Sequence, residues 1–269
     1  MNIHRPRLRK TPVALTIAGS DSGGGAGIQA DLKTFAAMGV HGACVIACLT
    51  AQNPKHVLGI ECCSPGMLRR QLEAVFEELP PAAAKTGMLF SAENIAVVAG
   101  FLKNRKAPLV VDPVMVSTSG SRLLGPGGLR VLVHKLLPLA TLVTPNLSEA
   151  EVLSGTRITA LEAMREAARI IHARFGCAVL VKGGHMARSG QAQDVFLDGK
   201  TNLVLSARFV KRTRTHGTGC VYSAAICASL ARGMNLRQAI QAGKRFVTEA
   251  ILNSYRTGKH HQLASPVRS

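Results

Sequence analysis

Short apolar runs alternate with amphipathic stretches along most of the chain. The runs are VALTIAG (13–19), GACVIACLT (42–50), AAAKTGML (82–89), PLVVDPVM (108–115), ATLVTPN (140–146) and CAVLVKGG (177–184). Their apolar positions are largely consecutive, which marks strands buried on both faces rather than half-solvated ones. Between them, stripes of period 3.6 predict helices over 28–38, 64–79, 91–105, 126–137, 147–154 and 159–175. Ser64 followed by Pro65 supplies an N-cap and a proline at the first helical position. Asn146 and Glu149 have the spacing of a capping box. Near residue 190 the rhythm changes: QDVFLDGKTNLVLSAR (193–208) predicts an antiparallel hairpin turning at Asp198-Gly199. Helices over 219–232 and 235–254 close the pattern.

Alternation of doubly buried strands with helices predicts a three-layer α/β/α fold around a mostly parallel central sheet. With no linker, repeat or low-complexity segment inside it, the chain reads as a single domain over 13–258. A basic tail (1–12) precedes it and a second tail (259–269) follows. In such sheets ligands gather at the carboxyl ends of the strands. Gly19, Asp21, Gln52, Met88, Asp112, Asn146, Lys182 and Gly217 to Cys220 all fall at those ends or in the loop after the hairpin.

Composition narrows the function classes. The 269 residues are 47% apolar and 18% charged, enough to bury a large core. No apolar run reaches the ~18–20 residues of a spanning helix, and the basic N-terminus leads into a strand rather than a signal-peptide hydrophobic stretch. A cytoplasmic protein with no membrane partner is expected. Seven cysteines (Cys44, Cys48, Cys62, Cys63, Cys177, Cys220 and Cys227) without a C-x-x-C pair argue against a disulfide framework or a cysteine zinc site. The formal net charge is +18, yet aromatics are 4% with no Trp, and the basic residues are dispersed. That lacks the basic stripe with stacking platforms of a nucleic-acid binder, so no specific nucleic-acid partner is expected.

The motifs differ in weight. GAGIQA (25–30) fits a dinucleotide fingerprint, but Thr50 and Gln52 stand where a ribose-binding acid belongs, and no P-loop pattern exists. Asp112 and Glu149 are acids at strand ends; Glu149 reads as a cap or as a magnesium ligand. Lys182, ending a buried run before two glycines, reads as solvated or as facing phosphates. His185 and His216 read as ordinary polar loop residues or as groups with a direct chemical role, and Lys211, Arg212 and Arg214 as a solvated strand face that would also attract phosphate near an anion site. Gly217-Thr218-Gly219-Cys220 opens a helix, whose unpaired N–H groups and dipole form an anion site. A thiol there is expected to have a lowered pKa.

In the order AGSDSGGGAGIQADLKTF, TAQN, KTGML, VVDPVM, TPNLSEAE, VKGGH and HGTGC, the chain resembles the hydroxymethylpyrimidine/phosphomethylpyrimidine kinases of thiamine biosynthesis, a ribokinase-like family. The resemblance runs from about Val13 to Tyr255. It implies ATP-dependent phosphorylation of 4-amino-5-hydroxymethyl-2-methylpyrimidine to its monophosphate and then to the diphosphate. It places the pyrimidine against Gly19, Ala26, Asp31, Gln52, Met88 and Val114. Asn146, Lys182 and Gly219 would meet ATP, and Asp112 and Glu149 would hold Mg²⁺. Gly217, Thr218, Gly219 and Cys220 would form the catalytic anion hole, with Cys220 as the base for the first hydroxyl. A homodimer is implied as well. Val221 follows GTGC where Thr is more usual. Pyridoxal or pyridoxine kinases, which share the scaffold, are the rival reading, and a non-catalytic polyanion binder on the same fold is a third.

Overall fold

The structure, a computed structural model, describes residues 10–115, 123–184, 190–210, 215–258 and 261–265. His185, Lys211, Arg212 and Arg214, together with most of both expected tails, lie outside the described residues.

In chain order the elements are β1 (Val13–Asp21), α1 (Gly27–Ala37), β2 (His41–Gln52), β3 (Val57–Cys62), α2 (Pro65–Glu78), β4 (Ala83–Thr86), α3 (Ala92–Leu102), β5 (Leu109–Val111) and α4 (Gly128–Val131). There follow β6 (Leu142–Val143), α5 (Leu147–Ser154), α6 (Leu161–Phe175), β7 (Ala178–Lys182), β8 (Gln191–Leu197), β9 (Asn202–Arg208), β10 (Thr215–His216), α7 (Thr218–Ala231), α8 (Leu236–Leu252), β11 (Tyr255–Thr257) and β12 (His261–Leu263). Nine strands form one sheet in the order β3-β2-β1-β4-β5-β6-β7-β8-β9. The six from β2 to β7 are parallel, and antiparallel β3 and the β8–β9 hairpin flank them. Strand order reverses between β1 and β4, the position at which an open sheet leaves a crevice at its carboxyl edge.

Both faces are covered. Leu15, Ile17, Val111, Val143, Val179 and Val181 pack with residues of α2, α3, α5 and α6. Ala14, Val110, Leu142 and Leu180 point the other way, into a core with α1, α7 and α8. Helix α7 lies deepest: every residue from Val221 to Ala231 is buried, which explains its absence of a polar stripe. The expected caps form. Ser64 accepts from the Met67 N–H. Asn146 and Glu149 complete a capping box at α5.

Three elements depart from expectation. Strand β3 was not foreseen, because this edge strand leaves Leu58, Gly59 and Glu61 exposed and so has no buried run. The helix expected over 126–137 is one α turn that widens through Leu132–Leu136 and tightens at Leu137–Leu139, where Pro138 cannot donate a backbone bond. The sequence pattern predicts only a tail from 259 onward. Residues 261–263 instead pair with β10 and β11 in a small second sheet, and Ala264 is buried against the α7–α8 core.

Candidate active site

Two glycine segments nearly 200 residues apart interlock at the crevice. Gly217 takes left-handed φ 86°, and a Cβ there would stand 1.8 Å from the Gly25 carbonyl oxygen. No side chain fits, so the turn opening α7 sits directly on the glycine loop. That loop is wound around its own carboxylate. Asp21 Oδ1 accepts from Gly23 N–H at 2.8 Å, and Oδ2 accepts from Gly25 and Ala26 N–H at 3.1 and 2.8 Å. These donors, Gly25 and Ala26 of GAGIQA among them, are spent on Asp21 rather than left free for a phosphate. Burial raises the Asp21 pKa, but His216 and these N–H groups outweigh it and hold the carboxyl below its ordinary value. The first N–H groups of α7, from Thr218 to Cys220, have no acceptor within the helix.

Beside them lies a charged cluster built from four elements. Asp112, just past β5, is 3% exposed. Its Oδ1 accepts from Lys182 Nζ at 2.9 Å and Thr144 Oγ1 at 3.2 Å, and its Oδ2 accepts from Ser223 Oγ of α7 at 3.1 Å. A Cβ on Gly219 would lie 3.5 Å from Lys182 Nζ and 4.0 Å from Asp112 Oδ2, so the α7 backbone is in contact with the pair. Glu149 closes the cluster, accepting from Asn146 N–H at 2.9 Å and Met115 N–H at 3.3 Å. Burial, together with Asp112, pushes the Glu149 carboxyl up against the opposing pull of Lys182. Burial works against a charged Lys182 too, but Asp112 and Glu149 more than offset it, and its pKa is raised. The ammonium therefore persists. Two carboxylates flanked by hydroxyls are hard oxygen donors that fit Mg²⁺, which keeps waters and substrate phosphates as its other ligands. Among the described residues no three His, Cys, Asp or Glu side chains converge as a protein-only cage.

On the other side of the glycine loop is an apolar patch. Cys48, Met88 and Leu123 form its buried part, with Ile60, Phe90 and Val114 against it. Gly19 belongs to this patch, since a Cβ there would approach Cys48 Sγ to 2.9 Å and Met88 Cε to 3.2 Å. Gln52 lies two residues beyond Thr50, whose strand partner Ile60 packs on the patch. Its Nε2 is 3.3 Å from His216 Nε2, and Thr50 Oγ1 donates to its Oε1 at 3.4 Å. His216 Nε2 is also 3.5 Å from Asp21 Oδ2, so Gln52, Asp21 and the turn before Gly217 form one chain of contacts.

Two expectations change here. Asp31 does not reach the patch: it is 0% exposed, its oxygens taken by Lys85 Nζ at 2.9 Å each and Thr16 Oγ1 at 2.6 Å. Cys220 is half-buried at the α7 N-terminus, but its thiol is pushed up to about 11 rather than lowered. Burial dominates; the Lys85 ammonium and the Gly27 N–H pull it down, while Asp31 and Asp112 push it up. A helix N-terminus favours a thiolate, and here desolvation wins.

Gly19, Met88 and Val114 thus share the patch, and Asp112, Lys182, Glu149, Asn146 and Gly219 share the charged cluster. Ala26, Gln52 and Gly217 adjoin the glycine loop between them. Three residues escaped sequence reasoning. Ser223 lies one turn beyond Gly219 and Thr144 two residues before Asn146; neither carries a local signal. Lys85 did carry one, since a lysine within a doubly buried run demands an acid. It is 0% exposed. Burial opposes its charge, and Asp31, with Cys220 and Asp112, more than restores it.

A crevice at the reversal of a mostly parallel sheet, with a helix N-terminus, a persistent ammonium and two carboxylates, defines a phosphotransferase of the ribokinase-like class. The sequence model of the family described as Phosphomethylpyrimidine kinase matches residues 21–265. The chain belongs to that family and is a kinase. It is 49% identical over 242 residues to a hydroxymethylpyrimidine/phosphomethylpyrimidine kinase of Rhizobium meliloti, covering 90% of this chain and 91% of the other. It is 48% identical over 249 residues to a thiamine biosynthesis bifunctional protein, ThiED, of Geobacter sulfurreducens, covering 92% of this chain but only half (50%) of that longer protein. Among solved structures, pyridoxal kinase from Staphylococcus aureus in complex with AMP-PCP and pyridoxal superposes with a TM-score of 0.87 at 33% identity, covering 96% of this chain and 94% of that one. No helix among the described residues is long and apolar enough to cross a membrane.

Proposed function

We propose that the protein transfers the γ-phosphoryl group of ATP to the hydroxymethyl oxygen of 4-amino-5-hydroxymethyl-2-methylpyrimidine, and then a second one to the resulting monophosphate. The observation that carries this is the contact between the α7 N-terminus and the Asp112–Lys182 pair, with Cys220 opening the helix. The ring lies on the apolar patch of Gly19, Met88 and Val114, and Gln52 reads its amino edge with one donor and one acceptor. The N–H groups of Gly217 to Cys220 and the Lys182 ammonium face the oxygens of the transferring group, where charge accumulates. Asp112 and Glu149 would hold Mg²⁺, which neutralises phosphate charge when bound. Asn146 both caps α5 and borders the nucleotide.

In the first step the alcohol oxygen forms the new O–P bond, the bond between the γ-phosphorus and the bridging oxygen breaks, and ADP leaves. The hydroxyl proton passes to Cys220 Sγ in its thiolate form, a small fraction of the thiol near neutral pH. In the second step the nucleophile is a phosphate oxygen that is already anionic, so no acceptor is needed. Asp31 acts from beneath, holding Lys85 charged near the thiol. A homodimer in a cytoplasmic setting belongs to the same reading, and sedimentation velocity tests the dimer.

Pyridoxal is the second candidate acceptor, since the S. aureus structural neighbour holds pyridoxal on this fold. The test incubates protein, ATP and Mg²⁺ separately with the pyrimidine alcohol and with pyridoxal, and resolves products by mass. Pyrimidine diphosphate is expected. Pyridoxal phosphate without any pyrimidine product would move the function to the second acceptor.

A further inference from the structure

A third buried ion pair stands behind the phosphate-facing cluster and takes no part in the steps above. Asp194 of β8 is 2% exposed and Lys244 of α8 is 8% exposed. Lys244 Nζ donates to Asp194 Oδ2 at 2.7 Å and to the Ala192 carbonyl at 3.1 Å. The other oxygen, Oδ1, accepts from the Gly183 N–H at 3.0 Å. Gly183 directly follows Lys182, and Asp194 is the residue paired with Lys182 across the β7–β8 ladder. A Cβ at Gly183 would stand 2.3 Å from the Gln193 carbonyl oxygen, so the end of β7 is pressed onto β8.

The helix that carries Lys244 also packs on the anion-hole helix. Gly243, next to Lys244, packs on Tyr222, whose ring carbons would be 3.2 Å from a Cβ there. Tyr222 is two residues beyond Cys220. Its phenol is held well above its ordinary range by burial and by the Asp194 carboxylate. One carboxylate is thus tied to the strand that ends in Lys182 and to α8, which in turn packs on the helix that begins at Thr218. Fold stability alone gives little reason to retain such a pair, because apolar residues of similar volume often serve as well or better.

We propose that the Lys244–Asp194 pair is a positioning device for Lys182. It fixes the end of β7, and with it the ammonium, against Asp112 and the α7 N-terminus, and so sets affinity for the phosphates of a nucleoside triphosphate. This rests on the phosphotransferase reading. The experiment uses the full chain as wild type, Lys244→Met, Lys244→Arg and Asp194→Asn. Calorimetry measures binding of a non-hydrolysable ATP analogue with Mg²⁺; steady-state kinetics give KM for ATP and for the pyrimidine; melting gives Tm.

Residues that hold a ligand-contacting group in place typically matter by about tenfold or more. Lys244→Met is expected to weaken the analogue and raise KM for ATP by about that factor, with KM for the pyrimidine unchanged. Lys244→Arg should restore most of the affinity. Asp194→Asn keeps an acceptor for Gly183 but loses the ion pair, and should fall between. A lowered Tm with unchanged analogue binding in Lys244→Met would show a merely structural role and overturn the proposal. If Lys244→Met does not fold, unchanged binding in Asp194→Asn overturns it equally. A wild type that binds no analogue defeats the phosphotransferase reading itself, and this proposal with it. Binding by the wild type with no loss in the variants defeats the positioning role alone.

Discussion

Replacing Cys220 with alanine separates the two phosphorylations, because only the first acceptor carries a proton that must leave. The substitution keeps the α7 backbone and its N–H groups and deletes the acceptor. With the thiol at about 11, the difference of three units from pH 8 leaves a thiolate fraction of about 10⁻³, growing tenfold per unit of pH. A positioned proton acceptor is worth ~10²–10⁴-fold in rate, or about 3–5 kcal/mol of barrier. The assay is rapid-quench single turnover with each acceptor in turn, from pH 6.5 to 9.5. For the wild type, the first-step rate should climb about tenfold per pH unit, following the thiolate. Cys220→Ala should lose ~10²–10⁴-fold in that step together with its pH slope. The second step, whose monophosphate oxygen is ionised above a pKa of about 6, should change far less. Equal losses in both steps, or a flat wild-type profile for the first, would refute the reasoning.

Two further predictions concern stability. Lys85→Met leaves Asp31 in the core without its counter-ion, only the Thr16 hydroxyl still donating to it, which should cost about 3–5 kcal/mol and lower Tm by roughly 10 °C. A Tm within experimental scatter of the wild type would show that Asp31 is neutral in the folded chain. Buried thiols should also make the protein sensitive to alkali. Burial holds Cys48 up to about 12 and Cys177 up to about 11, whereas unfolded thiols ionise near 8.5–9. Between those values the unfolded chain releases protons that the folded chain keeps, so their contribution is complete below about pH 8.5 and is lost as pH rises through the folded pKa values. Tm measured from pH 8 to 10.5 should fall, and Cys177→Ala should show a shallower fall; an identical slope would exclude a share for that thiol.

By itself the sequence determined whatever rests on neighbours along the chain. Doubly buried runs marked the parallel strands, Ser64 and Asn146 marked helix starts, and Asp198-Gly199 marked the hairpin, since periodicity and capping act over a few residues. It also placed the candidate site residues at one sheet edge, because parallel strands end on the same side. The edge strand β3 and the C-terminal strand β12 were not legible, since each is defined by its partner rather than by a buried run of its own. Tertiary structure alone decided the electrostatics. Asp31 meets Lys85 across 54 residues, Lys182 meets Asp112 across 70, and Lys244 meets Asp194 across 50. None of these pairings has a local pattern. The Cys220 thiol makes the same point: its place at a helix start predicts a lowered pKa, but the burial that raises it is a property of the whole packed core. Local sequence specifies which groups stand at an element's end, whereas the water removed around them depends on everything packed against that end.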